Sequence, residues 1–174
     1  MDKPKHMKDV PVSVFLAVSI VLIFSLYATV VLKEIPCGKD VMSLFYSNFV
    51  HVDIYHLLSN IFALYALSRV EIAIGGKKFM TLIVFLLIFN TIAESIMYKL
   101  FKNLPCSIGI SGVLFGVTAW EMITNKGFDW LVAVSLVVMI ACPSIQDPKA
   151  SLMGHSIGAI AGIIGGLLWS KISS

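Results

Sequence analysis

Six stretches of this 174-residue chain are apolar for long enough to cross, or nearly cross, a lipid bilayer: roughly 12–33, 51–74, 79–98, 108–124, 129–145 and 152–170. About 20 apolar residues in helical form span the hydrocarbon layer. Backbone amides in lipid must find partners within the chain, and helices achieve that within one segment. Strands closing a barrel would alternate polar and apolar residues, and these stretches do not. The composition agrees. Hydrophobic residues make up 58% and charged residues 13% of the chain, too few charges to coat a soluble sphere of this size. The expected fold is all-α: one polytopic domain over residues 1–174, a bundle of six transmembrane helices whose main solvent is lipid.

Short connections carry the residues that end helices. Ile35–Asp40 lies before the second span, Gly75–Lys78 after it, Asn103–Pro105 before the fourth, Asn125–Gly127 after the fourth, and Pro143–Lys149 before the sixth. The last of these is read as a connection, with a mobile cover as the second reading. Met1–Lys8 is basic and leads into an apolar run too long for a cleaved signal core, so a retained signal anchor is expected. Orientation follows from Lys and Arg. With the N-terminus inside, the inner side holds Lys3, Lys5, Lys8, Arg69, Lys77, Lys78, Lys126 and Lys171, and the outer side holds Lys33, Lys39, Lys99, Lys102 and Lys149. This bias places both termini on the cytoplasmic side. Plasma membrane and organelle membrane are not distinguished. Trp120, Trp130 and Trp169 fall in the inner half and suit an interfacial belt.

The net charge of +3 is scattered, so no nucleic-acid footprint arises. Cys37, Cys106 and Cys142 show no metal-ligand spacing. Free thiols are expected for them over a single disulfide. No metal and no cofactor are expected.

Polar groups inside a span are costly and face the protein interior. His56 and Asn60 lie early in the second span, Ser111 early in the fourth and His155 early in the sixth. These spans run in one direction, so the four residues share a depth of about 5–13 Å below the outer boundary at 1.5 Å per residue. His56 and Asn60, four apart, share a helix face; His51 belongs to the helix mouth or to another face. Gly154, Gly158, Gly162 and Gly166 recur every four residues along the sixth span, and Gly112, Gly116 and then Ala119 do much the same on the fourth. Small residues so spaced let two helix backbones approach closely, which would bring His155 against Ser111. A serine hydroxyl becomes a nucleophile when a neighbouring base takes its proton. Phe115, one turn after Ser111, is placed to stack on the His155 ring. No carboxylate is placed to orient the imidazole, so a dyad is expected and not a triad. His56 and Asn60, with the Ser111 amide, are candidate oxyanion donors. Glu94 in the third span is expected to reach the outer boundary or to pair with Lys99 or Lys102.

These residues resemble the rhomboid family of intramembrane serine proteases. Gly109-Ile110-Ser111-Gly112 resembles the family's GxSG, with Phe115 where an aromatic residue is common. His155-Ser156-Ile157-Gly158 with Gly162 resembles its HxxG…G pattern. His51, His56 and Asn60 resemble the second-helix motif, and Glu71 to Gly75 resembles ExxxG. The resemblance implies a Ser111 nucleophile and a His155 base, with His56 and Asn60 at the oxyanion. His51, Gly109, Gly112, Phe115 and Gly158 would support them. It also implies single-span membrane proteins as substrates, entering from the lipid bilayer. One departure is the first connection, which is short and lacks the Trp-Arg motif many members carry. The alternative is a catalytically silent rhomboid-like binder or chaperone of membrane proteins. A small transporter using His56, His155 and Glu94 lacks the paired repeats of that class. Zinc chemistry would want HExxH, and aspartyl chemistry two intramembrane Asp residues; neither is present.

Overall fold

A computed structural model describes residues 7–29, 40–101, 104–126, 129–146 and 151–172. After a single 3-10 turn at Met7–Asp9 come α1 (Pro11–Ala28), α2 (Val41–Ser47), α3 (Ile54–Ile74), α4 (Gly76–Leu100), α5 (Ser111–Lys126), α6 (Trp130–Gln146) and α7 (Leu152–Ile172). No strand occurs among the described residues.

The helices start where local chemistry permits. Pro11 opens α1, at a position where its missing N–H costs nothing. Asp40 caps α2 by accepting from the amides of Met42 and Ser43. The Ser43 hydroxyl and amide hold the Asp40 carboxyl below the usual carboxylate range. Asp53 caps α3 by accepting from the His56 amide at 2.8 Å. A single residue, Gly75, joins α3 to α4 at φ +84° and ψ 147°, a conformation essentially reserved for glycine.

The bundle is apolar outside as well as inside. Phe15, Leu22, Phe62, Ile88, Ile92 and Val137 all stand exposed; such a surface suits lipid and not water. Among the described residues four helices are long and apolar enough to cross a membrane: Pro11–Ala28, Ile54–Ile74, Gly76–Leu100 and Leu152–Trp169. The chain is a multi-pass integral membrane protein. Of the other three, α2 has only seven residues, and α5 and α6 have 16 and 17. α5 contacts α3, α4, α6 and α7, and Val113, Val117, Ala119, Trp120 and Ile123 along it are buried. A helix so enclosed meets protein and not lipid, so it tolerates Thr118, Glu121 and Thr124.

α5 and α7 make the closest pairing. The carbonyl of Gly158 lies 2.9 Å from where a Cβ on Gly116 would stand, and that of Gly154 lies 2.9 Å from the same point on Gly112. The core beside this pair is Phe79, Ile83 and Leu86 of α4 with Val113 and Val117 of α5. At the opposite end of the bundle from Ser111, Arg69 of α3 pairs with Glu121 of α5 at 2.8 Å.

The fold departs from the sequence reading at several points. The first connection contains α2. Pro143 does not stop α6, which runs to Gln146; membrane helices tolerate proline where neighbours re-satisfy the backbone. The rest of that proposed cover, 147–149, lies outside the described residues. Trp120 is 4% exposed and packs edge-on against Trp169, so it joins the core and not a belt. Cys106 is disulfide-bonded and Cys142 is free, against the expectation of free thiols; Cys37 lies outside the described residues.

Candidate active site

Three helices start at one end of the bundle, and each brings a polar side chain to the same place. His56 sits in the first turn of α3, Ser111 opens α5, and His155 sits in the first turn of α7. His155 Nε2 lies 3.0 Å from Ser111 Oγ. The glycine contacts explain how: any side chain at Gly112 or Gly158 would meet the facing backbone, so both must be bare for the dyad atoms to meet. Phe115 lies against the His155 ring at 4.2 Å between centroids and a 35° tilt. His155 Nδ1 is buried and has no hydrogen-bond partner among the described residues. The histidine is therefore oriented by packing, with no carboxylate behind it.

Ser111 is the first residue of its helix. The first amides of a helix have no partner within it, and they carry the positive end of its dipole. The loop that delivers Ser111 is tightly held. The Gly109 amide donates to the Ser47 carbonyl at 2.9 Å, a contact made by the unforeseen α2. Gly109 has φ +101°, and a Cβ there would stand 2.7 Å from His56 Cε1 and 2.8 Å from His56 Nε2. The bare backbone thus lies against the imidazole.

His56 and His51 pack with ring centroids 5.0 Å apart. His51 precedes α3 and is 3% exposed. Both of its ring nitrogens are buried, and the Phe49 backbone lies within hydrogen-bonding reach of the ring. Asn60 is buried, and its Nδ2 donates to the His56 carbonyl at 2.9 Å. An amide nitrogen carries two hydrogens, so one remains for a ligand.

A cavity of about 620 Å³ opens over the dyad. His56, Asn60, Ser111 and His155 line it, together with apolar residues such as Leu67, Leu114 and Met139. Among the described residues no group of three His, Cys, Asp or Glu is placed to hold a metal ion.

The family model for the Rhomboid domain matches residues 38–172. The chain belongs to the rhomboid family. It is also similar to a protein of Acanthamoeba polyphaga mimivirus that bears the name of a rhomboid protein. That protein is 27% identical over 131 residues, which cover 73% of this chain and 74% of its relative. The family is in general one of intramembrane serine proteases. In this rhomboid the matched region begins at residue 38 and so takes in α2 to α7, leaving α1 outside it.

Glu94 is the residue most misplaced by sequence reasoning. It is 4% exposed and hydrogen-bonds the Ser107 side chain, not a lysine at the boundary. Tyr98, one turn on, was not singled out. Its hydroxyl donates to the Pro105 carbonyl at 2.6 Å and accepts from the Ser107 amide at 2.9 Å. The signal for both was Asn90-x3-Glu94-x3-Tyr98, a polar row on one face of an apolar helix.

Proposed function

We propose that this rhomboid is an intramembrane serine endopeptidase that cuts the transmembrane segments of single-span proteins. The observation that carries the reading is the 3.0 Å separation of Ser111 Oγ and His155 Nε2 on the wall of a cavity at membrane depth. A hydroxyl and an imidazole at that distance can exchange a proton.

In the proposed reaction His155 takes the Ser111 proton as Oγ attacks the scissile carbonyl. The oxyanion that forms is met by the Ser111 amide, His56 and the free hydrogen of Asn60 Nδ2. His155 then gives its proton to the leaving amine, and the new N-terminus departs. Water, deprotonated by the same imidazole, hydrolyses the acyl ester and restores the hydroxyl. Phe115 keeps the ring aligned through both steps.

Six spans complete this reading: α5 and α6 join the four longer helices, with both termini inside and the cavity toward the outer or lumenal face. Substrates arrive through the bilayer. A substrate helix hides its carbonyls in its own hydrogen bonds, so it must unwind before attack. Spans weakened by Gly, Pro or small polar residues near that end are therefore the preferred substrates.

The test is labelling by a fluorophosphonate probe together with cleavage of such a span in detergent. Wild type should label and cleave, and Ser111→Ala should do neither. Labelling and cleavage that persist in folded Ser111→Ala would remove the dyad from the reaction. Silence of the wild type in both assays would favour a non-catalytic binder.

A further inference from the structure

The mechanism above makes no use of Glu94, yet a buried carboxyl at membrane depth is costly unless its partners are well placed. Its partners come from the two segments that carry the dyad. The Glu94 side chain hydrogen-bonds that of Ser107, in the loop that runs into Ser111. Glu94 Oε1 also lies 3.3 Å from where a Cβ on Gly154 would stand, beside His155. The Ser107 hydroxyl is 2.5 Å from that same point, and Ser151 Oγ is 3.2 Å from it. Ser151 Oγ in turn accepts from the Gly154 amide at 3.0 Å. Glu94, Ser107 and the chain at Gly154 thus pack against one another, and neither Glu94 nor Ser107 lines the cavity.

The neighbours of Glu94 on its helix face act on the same segments. Tyr98 clasps the loop at Pro105 and Ser107. Asn90 Nδ2 lies 3.1 Å from the position a Cβ would take on Gly112, next to Ser111. α4 donates nothing to the reacting atoms, but this row meets both segments that carry the dyad, with Glu94 at its centre touching each.

We infer that Glu94 is a positioning residue: through Ser107 and the backbone at Gly154 it sets the separation of the Ser111 loop from the His155 helix. The inference rests on the serine-protease reading. An apolar side chain at 94 would leave the Ser107 hydroxyl unpaired and the loop free to drift. Misplacement of a reacting group by 1 Å costs about 100-fold in rate.

The test is steady-state cleavage of a fluorogenic single-span peptide by wild type, Glu94→Leu, Glu94→Gln and Ser107→Ala, with a thermal melt of each. Glu94→Leu and Ser107→Ala should lower kcat about tenfold or more while KM stays within about twofold, the pattern of an interaction felt in the transition state. Glu94→Gln, whose amide carbonyl can still accept from Ser107, should restore most of the kcat lost in Glu94→Leu. A general packing role would show as a lower melting temperature with normal kcat. The inference is overturned if folded Glu94→Leu or Ser107→Ala keeps wild-type kcat, if the loss lies in KM alone, or if Glu94→Gln is as slow as Glu94→Leu. Should Glu94→Leu not fold, Ser107→Ala decides alone. A wild type that neither cleaves the peptide nor takes a fluorophosphonate overturns the protease reading and this inference with it. An active wild type with unaffected variants overturns only the inference.

Discussion

Two glycines with positive φ separate backbone strain from active-site crowding. Gly109 and Gly75 stand at φ +101° and +84°, so alanine at either strains the backbone by about 1–3 kcal/mol. Their surroundings differ. Nothing lies within 4 Å of a Cβ on Gly75, whereas one on Gly109 would meet the His56 ring at 2.7 Å. Gly75→Ala should therefore lower the melting temperature and leave kcat near wild type. Gly109→Ala should lower both, with kcat falling about tenfold or more, as for a displaced oxyanion donor. Thermal melts and cleavage kinetics of the two proteins check this. Equal effects on kcat would show that His56 is not held by its contact with Gly109. At this scale much of the site was legible in the sequence, because Ser111, His155, His56 and Asn60 interrupt apolar runs at matched depth. Glu94 was misjudged because Lys99 and Lys102 are near in sequence. Lys99 is five residues on, about 140° around the helix from Glu94, whereas Tyr98 at four lies over it.

Among the elements, the α5–α7 pair carries the dyad, and its glycines are not equivalent. A Cβ on Gly158 would fall on the Gly112 carbonyl, which is backbone and cannot turn aside; one on Gly165 would meet the Phe85 ring edge at 3.1 Å and Trp120 at 3.5 Å. Gly158→Ala must push the helices apart. It should cost about 1–3 kcal/mol as overpacking does and abolish fluorophosphonate labelling at Ser111. Gly165→Ala should label normally, since side chains can shift by a few tenths of an ångström. Normal labelling in Gly158→Ala would mean that the helices need not touch for the dyad to form. The glycine rows announced this pairing in the sequence. α2 stayed hidden for a different reason. Its seven residues are too few to span, so a search for membrane-length runs absorbed them into a connection. The capping pair Asp40 and Ser43 was the local sign of a helix start. The end of α6, at Gln146, falls within one residue of the span read as 129–145, although the sequence reading assigns Pro143 to the connection that follows.

For the whole molecule, the question is what keeps α1 attached, since lipid gives helices no hydrophobic reason to associate. Only 22% of this span is buried; Val12, Leu16 and Ile20 form the one stripe that meets the bundle. The firm contact is polar. Glu71 of α3, fully buried, accepts from the amides of Val12 and Ser13, each at 2.8 Å, and from the Ser13 hydroxyl at 2.7 Å. It thereby caps the first turn of α1 from another helix, where a carboxyl also complements the dipole. Hydrogen bonds to such a group contribute about 1.5–3 kcal/mol each, and losing the acceptor strands buried donors. Glu71→Ala should therefore cost about 3 kcal/mol, seen as a lower melting temperature in detergent. The dyad is built on α5 and α7, neither of which makes a substantial contact with α1. At temperatures where Glu71→Ala remains folded, its kcat should stay close to wild type. The two readouts should thus part company, stability falling and turnover holding. A folded Glu71→Ala that has lost turnover would instead make α1 part of the catalytic frame, transmitting its position to the site through α3 and His56.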